Sequence, residues 1–553
     1  MTSLTRPDHW LQRSAGLAMS ALLARLDMTQ HARPFFWVDY RADPPRESHS
    51  YWDYCDIAGR FVDGLILARE MTSRRDGAEE EAALREFLFA QQDAGDGLFY
   101  NPEPDAEMSK YAPDLGATVA ARHVDMFCQR APLLAMTTLL AAGDETIRPR
   151  LQHMVRGLIG ISERNGDEVR FPTYRWARTL QPGWYEGANI PEHWQGYRYA
   201  LLTALPRYAQ LAGDEQALEL AQGLARYYVR HGDVPPDGRF KGNTHSGGIL
   251  PTTVGIARVG LLTGDREMID WAHRVYAWVR EQTPEFGFLS DGLGLEGFFA
   301  GTCETCGLAD LQHLAMLFSE SGVGDYWDDL ERVARNQLVQ NQYANADLLR
   351  SAFPNITPRV LGMLHGGFEC AAHPNHLLTW DGAEGCCIGG GLRALYHTWH
   401  SALTETPAET RVNMGISRDT LEVQVTAYEP REGRIDVRVV GEAPRRVMIR
   451  LPGHAALSEA QPLLDGVPVT LTWQARYACF DALRPGQVAS LVYPLREDTR
   501  TYTIAGQTYT GRWRGHTMLH ISPRGERYPI YASSGSFPAC ARNCVLSKSL
   551  LRL

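Results

Sequence analysis

Two short stretches carry thiols at positions where chemistry could use them. "GTCETCGLADLQHLAMLF" places Cys303, Glu304 and Cys306 directly before a run with apolar residues at Leu308, Leu311, Leu314 and Phe318. "EGCCIGGGLRALYHTW" places Cys386 and Cys387 before another, with Leu392, Leu395, Tyr396 and Trp399. Both runs have helical spacing, and a helix N-terminus stabilises an anion, so a thiolate is favoured at each. Cys303 and Cys306 form a C-x-x-C half-site that Cys386 and Cys387 can complete, and soft or borderline ligands in that number point to Zn2+. Three of these thiols plus Glu304 would bind zinc as well as four thiols, and spacing does not separate the two sets. A structural zinc favours four thiolates, whereas a reacting site keeps one thiolate able to leave the metal and attack. The plain alternative is that all four are small buried residues of a helical core.

The elements that must position these groups are helices for the first 400 residues. A weak repeat runs through "LLAAGDETIRPRLQHM", "AQLAGDEQALELAQGLARYY", "GLLTGDREMIDWAHRVYAW" and "SESGVGDYWDDLERVARNQ". In each, Gly143, Gly213, Gly264 or Gly324 can end a helix in the left-handed conformation. Asp144, Asp214, Asp265 or Asp325 can then cap the next helix. Repeated helical hairpins predict an α-solenoid or a closed (α/α) barrel, and the long Trp-, Gly- and His-rich loops between them suit an enzyme cleft. After about residue 405 the texture changes to short β-branched runs such as "TLEVQVTAY", "GRIDVRVV" and "RRVMIRLP", separated by turn residues. That reads as a β-sandwich. The expected division is a helical catalytic domain over 1–405, a β-sandwich over 406–535 and a tail over 536–553 that follows no pattern.

Bulk properties exclude some functions. A net charge of −10 argues against a nucleic-acid footprint. No stretch reaches the roughly 18 apolar residues that a membrane span needs. The N-terminal apolar run lies between Arg13 and Arg25 and reads as an amphipathic helix rather than a signal peptide, so the expected location is cytoplasmic. Ten cysteines in 553 residues are not disulfide-dense, and clustered thiols then read as metal or catalytic groups.

"ETCGLADLQHLAMLF", followed some 80 residues later by an adjacent cysteine pair and a helix, resembles glycoside hydrolase family 127, the β-L-arabinofuranosidases. The resemblance implies an (α/α)6 barrel followed by β-sandwich material. It implies a zinc held by Glu304, Cys306, Cys386 and Cys387, with Cys386 as nucleophile and Cys303 a bystander. The family's acid/base is a glutamate upstream of the Glu-x-Cys pair. "FGFLSDGLGLEGFFAGTCETC" offers Glu296 in that role, with Asp291 as understudy. His245 matches a histidine of the family's sugar pocket in context, His193 matches another, and Asp291 joins them as a sugar-binding group. The chain departs from the family in its shorter loop between Glu296 and Glu304, and in "IGGGLR" after the cysteine pair where a Pro-Pro-Asn type of stretch is usual.

The expected activity is a retaining glycosidase that releases a terminal furanose, β-L-arabinofuranose by family default, from an oligosaccharide or glycoside. Retaining glycosidases ordinarily use two carboxyl groups; here a zinc-bound thiolate replaces one. A barrel enzyme with a structural zinc and two carboxylates from Asp291, Glu296 and Glu384 is a second reading. A non-catalytic glycan- or protein-binding scaffold is a third. His365, His373 and His376 lie close enough in sequence to the cysteine pair to be pocket groups.

Overall fold

The structure is a computed structural model, and it describes residues 9–102, 122–177, 183–185, 195–235, 237–239, 245–293 and 298–531. Glu296, His193 and the tail from 536 lie outside the described residues. No helix among the described residues is long and apolar enough to cross a membrane.

Helices dominate as far as Ser401, and six buried segments pack in sequence order. The helix Asp56–Thr72 lies on Arg130–Ala141, which lies on the turn Ala200–Thr203 and the helix Leu205–Ala212. These pack on Ser246–Thr263, that helix on Thr305–Glu320, and that on Cys386–Ser401. The Cys386 helix returns to the Asp56 helix, so the contacts close on themselves. Most of these inner segments are buried nearly all round, and their buried charges, such as Asp63 with Arg393 and Arg130 with Asp310, are paired. The amphipathic helices Glu215–His231 and Arg266–Gln282 pack outside them, burying one face each.

The predicted turns are made as expected in three places. Gly143, Gly213 and Gly264 have positive φ, and Asp144, Asp214 and Asp265 accept hydrogen bonds from Thr146 N, Ala217 N and Met268 N. The fourth differs. Gly322 takes the left-handed conformation instead of Gly324, and the next helix begins at Trp327. Asp325 is left to pair with Arg450 of the strand region, 2.9 Å away.

From Leu403 to Val492 the chain forms a five-stranded and a six-stranded sheet, which share a core that includes Val412, Val425, Val437, Ile449, Phe480 and Leu491. A third sheet, Glu497–Ile504, Gln507–Arg514 and Thr517–Ser522, stands apart from these two. Its Trp513, Met518 and Ile521 bury in the helical core, and Asn336 holds it by accepting from Met518 N at 2.8 Å and donating to His516 O at 2.9 Å.

Candidate active site

The two thiol-bearing helices start side by side. The backbone before Thr305–Glu320 is extended: Cys303 exchanges hydrogen bonds with Ala372, so successive side chains there point to opposite sides. Cys303 faces Asn341, with Sγ 3.9 Å from Nδ2, while Glu304 faces the other helix. The start of Cys386–Ser401 is clamped from the far end of the chain. Strand Gly382–Glu384 pairs antiparallel with Trp37–Asp39, and Gly385 N donates to Phe36 O at 2.6 Å. The buried Arg25 guanidinium donates to Phe36 O at 2.9 Å and Ala383 O at 3.3 Å, tying both strands to the first helix.

The glycines of "IGGGLR" explain how close the helices come. A Cβ on Gly390 would stand 3.1 Å from Cys306 Sγ and 3.2 Å from its Cα. On Gly389 it would meet the Arg60 backbone oxygen at 2.8 Å. We expect Gly390→Val to part the two helices at a cost of about 1–3 kcal/mol, as overpacking a core does. It should also weaken metal binding about 10-fold, the lower end for groups that support ligands; chelator competition measures the second effect and thermal unfolding the first.

One ligand atom from each of Glu304, Cys306, Cys386 and Cys387 lies within 4.8 Å of all the others, and all four residues are buried. Sulfurs held tetrahedrally on zinc at ~2.3 Å stand about 3.8 Å apart. Cys306 Sγ and Cys387 Sγ are 3.8 Å apart, and so are Cys386 Sγ and Cys387 Sγ. Cys387 Sγ and Glu304 Oε1 are 4.0 Å apart. Three thiols and a carboxyl in one dry place cannot all ionise without a cation. Hydrogen bonds from the Cys386 and Cys387 thiols bring Cys306 down to about 6. Its thiolate, with burial, holds Cys386 and Cys387 well above the ordinary thiol value. The donor set, its spacing and its charge all fit a zinc ion. Cys303 is not among the donors, and burial pushes its thiol up.

Around this set sit groups of two kinds. His245 Nε2 stands 2.8 Å from both Glu304 Oε2 and Asp291 Oδ1, and its Nδ1 meets the Tyr197 hydroxyl. Burial opposes a charged ring there, but Asp291, Tyr197 and Glu304 outweigh it and hold His245 protonated. The same imidazolium outweighs burial at Glu304 and keeps its carboxyl ionised, while burial raises that of Asp291. Asp291 is held here by its backbone: its N donates to Thr302 O at 2.8 Å and its O accepts from Ser246 N at 2.9 Å. On the other side, Glu384 Oε2 is 3.3 Å from Cys386 Sγ. Burial raises the Glu384 carboxyl to about 8, so it is protonated at neutral pH. Cys386 is 7% exposed and Cys387 fully buried, so Cys386 is the less deeply placed of the pair.

Sequence reasoning missed two of these groups. Arg60 Nη1 donates to Cys306 Sγ at 3.5 Å while its Nε is held by Asp56 at 2.9 Å. An arginine four residues after an aspartate, in a helix half that is otherwise apolar up to Asp63, was the available signal. Tyr197 had none. His373 and His376 meet edge to face, 4.7 Å between ring centroids, and His376 Nδ1 donates to Asn375 Oδ1 at 2.7 Å. Neither they nor His365 join the cluster.

No family model matches the sequence, and no curated protein sequence matches it. Solved structures do. A family 127 β-L-arabinofuranosidase from Geobacillus stearothermophilus T6 aligns over 85% of this chain and 77% of its own, at 14% identity and a TM-score of 0.58. A second family 127 β-arabinofuranosidase aligns over 93% of this chain and 83% of its own, at 13% identity and a TM-score of 0.62. A third structure, described as a glycoside hydrolase, covers 89% of this chain and 84% of its own, at 13% identity and 0.56. At these identities the likeness is one of fold, and along most of its length this chain is folded like the β-L-arabinofuranosidases of glycoside hydrolase family 127.

Proposed function

We propose that the protein is a retaining glycosidase that releases a terminal furanose, β-L-arabinofuranose by likeness, from an oligosaccharide or other glycoside. The observation that carries this is the cluster of Glu304, Cys306, Cys386 and Cys387 at zinc-ligand spacing beside His245 and Asp291. The closed ring of inner segments, with Glu215–His231 and Arg266–Gln282 outside it, supports an (α/α)6 barrel over 1–405 as the catalytic domain, with a β-sandwich after it.

Glu304, Cys306, Cys386 and Cys387 would hold the zinc, and bound zinc would keep the Cys386 sulfur deprotonated at neutral pH. Cys386 Sγ attacks the anomeric carbon; the carbon–sulfur bond forms as the bond to the leaving oxygen breaks. Glu296 gives its proton to that oxygen. The Glu296 carboxylate then takes a proton from water, the water oxygen bonds to the anomeric carbon, and the thiolate leaves. His245 fixes the Glu304 carboxylate, and His245, Asp291 and His193 are assigned to sugar binding by the family likeness.

Glu296, Asp291 and Glu384 are separated as proton donors by leaving-group dependence. Glu296→Gln should lose about 10²- to 10⁴-fold on alkyl glycosides, the usual worth of a general acid, and far less on nitrophenyl glycosides. The same pattern in Asp291→Asn or Glu384→Gln, with Glu296→Gln near wild type, would move the role to that residue.

A further inference from the structure

A second cluster lies far from the thiols in sequence and on other elements. Glu429 follows strand Val423–Ala427, His454 follows strand Arg445–Arg450, and His516 sits in the turn between the last two strands of the third sheet. One ligand atom from each lies within 4.8 Å of the other two. The side chains of Glu429 and His516 are 1% and 3% exposed, and that of His454 is 15% exposed, at the rim.

Each of the three carries a buried polar atom with no hydrogen bond: Glu429 Oε2, His454 Nε2 and His516 Nδ1. Their neighbours are already engaged. Glu429 Oε1 accepts from His516 N, which fixes the carboxylate and leaves Oε2 turned to His454 Nε2 at 3.4 Å. Glu331 accepts from Arg335 at 2.7 Å and from Gly415 N at 2.9 Å. Asp328 accepts from Arg450 at 2.7 Å and from Gly453 N at 3.1 Å. His516 stands 3.6 Å from both carboxylates, too far for a hydrogen bond to either. The rings of His454 and His516 are perpendicular, with centroids 4.6 Å apart, so they do not stack.

Unmet polar groups of this kind cost about 1–3 kcal/mol each. A single divalent cation held between the three residues would give such groups a partner. Two imidazole nitrogens and one carboxylate oxygen are a zinc donor set, and ligand atoms at ~2.0–2.1 Å on a tetrahedral zinc stand about 3.4 Å apart. That is the Glu429–His454 separation. The charge around the cluster also favours a cation: Asp328, Glu331 and Glu429 face Arg335 and Arg450.

We propose that Glu429, His454 and His516 form a second zinc site, distinct from the thiolate site and independent of the glycosidase reading. It would staple the β-sandwich to the third sheet against the helix Trp327–Val333, with water as fourth ligand.

Metal analysis of the full-length protein after loading with Zn2+ and removal of the excess should find two zinc ions per chain. His454→Gln, at the exposed rim, should bind one, and a Cys306→Ser/Cys387→Ser variant should also bind one. Cobalt(II) tells the sites apart: His454→Gln should keep sulfur-to-cobalt charge-transfer bands, whereas the cysteine variant should show only d–d bands. A folded His454→Gln protein that keeps the full wild-type zinc count would overturn the proposal, as would a folded cysteine variant that binds none. A cysteine variant with undiminished zinc would instead sink the thiolate site.

Discussion

Cys386→Ser is expected to lower turnover of an aryl β-L-arabinofuranoside by about 10³-fold or more, the scale of losing a nucleophile. The fold and the metal should remain. Glu304, Cys306 and Cys387 still supply three donors, and the deeper sulfur, Cys387, is untouched. Cys387→Ser should behave differently, because its sulfur lies 3.8 Å from both other thiols and 4.0 Å from Glu304, at the centre of the set. Its loss should release zinc and activity together. Turnover by Cys386→Ser within tenfold of wild type, with zinc still bound, would make the metal structural and return the chemistry to carboxyl groups. Glu384 and Asp291 then become the pair to test, since the carboxyl of each is raised.

The parts of this site that were legible in the sequence are those where residue type and local spacing carry the meaning. Thiols at two helix starts announce a group that could hold a soft metal wherever they end up. Gly-Asp turns announce three hairpins because both residues act within their own turn. Spacing left the choice between Cys303 and Glu304 open, and only the family resemblance named Glu304. That choice depends on an extended segment whose direction is set by a bridge to Ala372, about seventy residues away. Asp325 shows the same limit: its turn chemistry lost to a partner, Arg450, in another layer. The glycines after the cysteine pair looked like a departure from the family pattern. In the structure they let one helix lie against Cys306 and Arg60. Arg60, Tyr197 and the clamp of Trp37–Asp39 on Gly382–Glu384 are all tertiary, and local patterns carry little trace of them. The strands from 497 onward have the composition of the sandwich, but which core they bury in is settled by long-range packing on Asn336.

Zinc binding should become tighter as pH rises, and steeply. Metal ligands must be deprotonated, so each protonated thiol in the free site is a proton released on binding. In the free protein Cys306 titrates near 6, lowered first by hydrogen bonds from its two thiol neighbours, and Cys386 and Cys387 lie well above the ordinary thiol value. Glu304 is already ionised, its burial outweighed by His245. From about pH 6.5 to 8.5, therefore, two thiols lose protons on binding and a third has already lost its own. Affinity should rise about 100-fold per pH unit in that window, and about 1,000-fold per unit below pH 6, where Cys306 is also protonated. The stability that zinc confers follows the same curve. At free zinc 1,000 times its dissociation constant the gain is about 4.1 kcal/mol, and it disappears as acid weakens binding. Chelation at neutral pH should thus lower the unfolding temperature by several degrees, and acidification toward pH 5 should do so without a chelator. Calorimetry in buffers of different ionisation enthalpy counts the protons directly. A count near zero at pH 7.5 would mean that the thiols are already ionised without metal, which the mutual burial of Glu304, Cys306, Cys386 and Cys387 forbids.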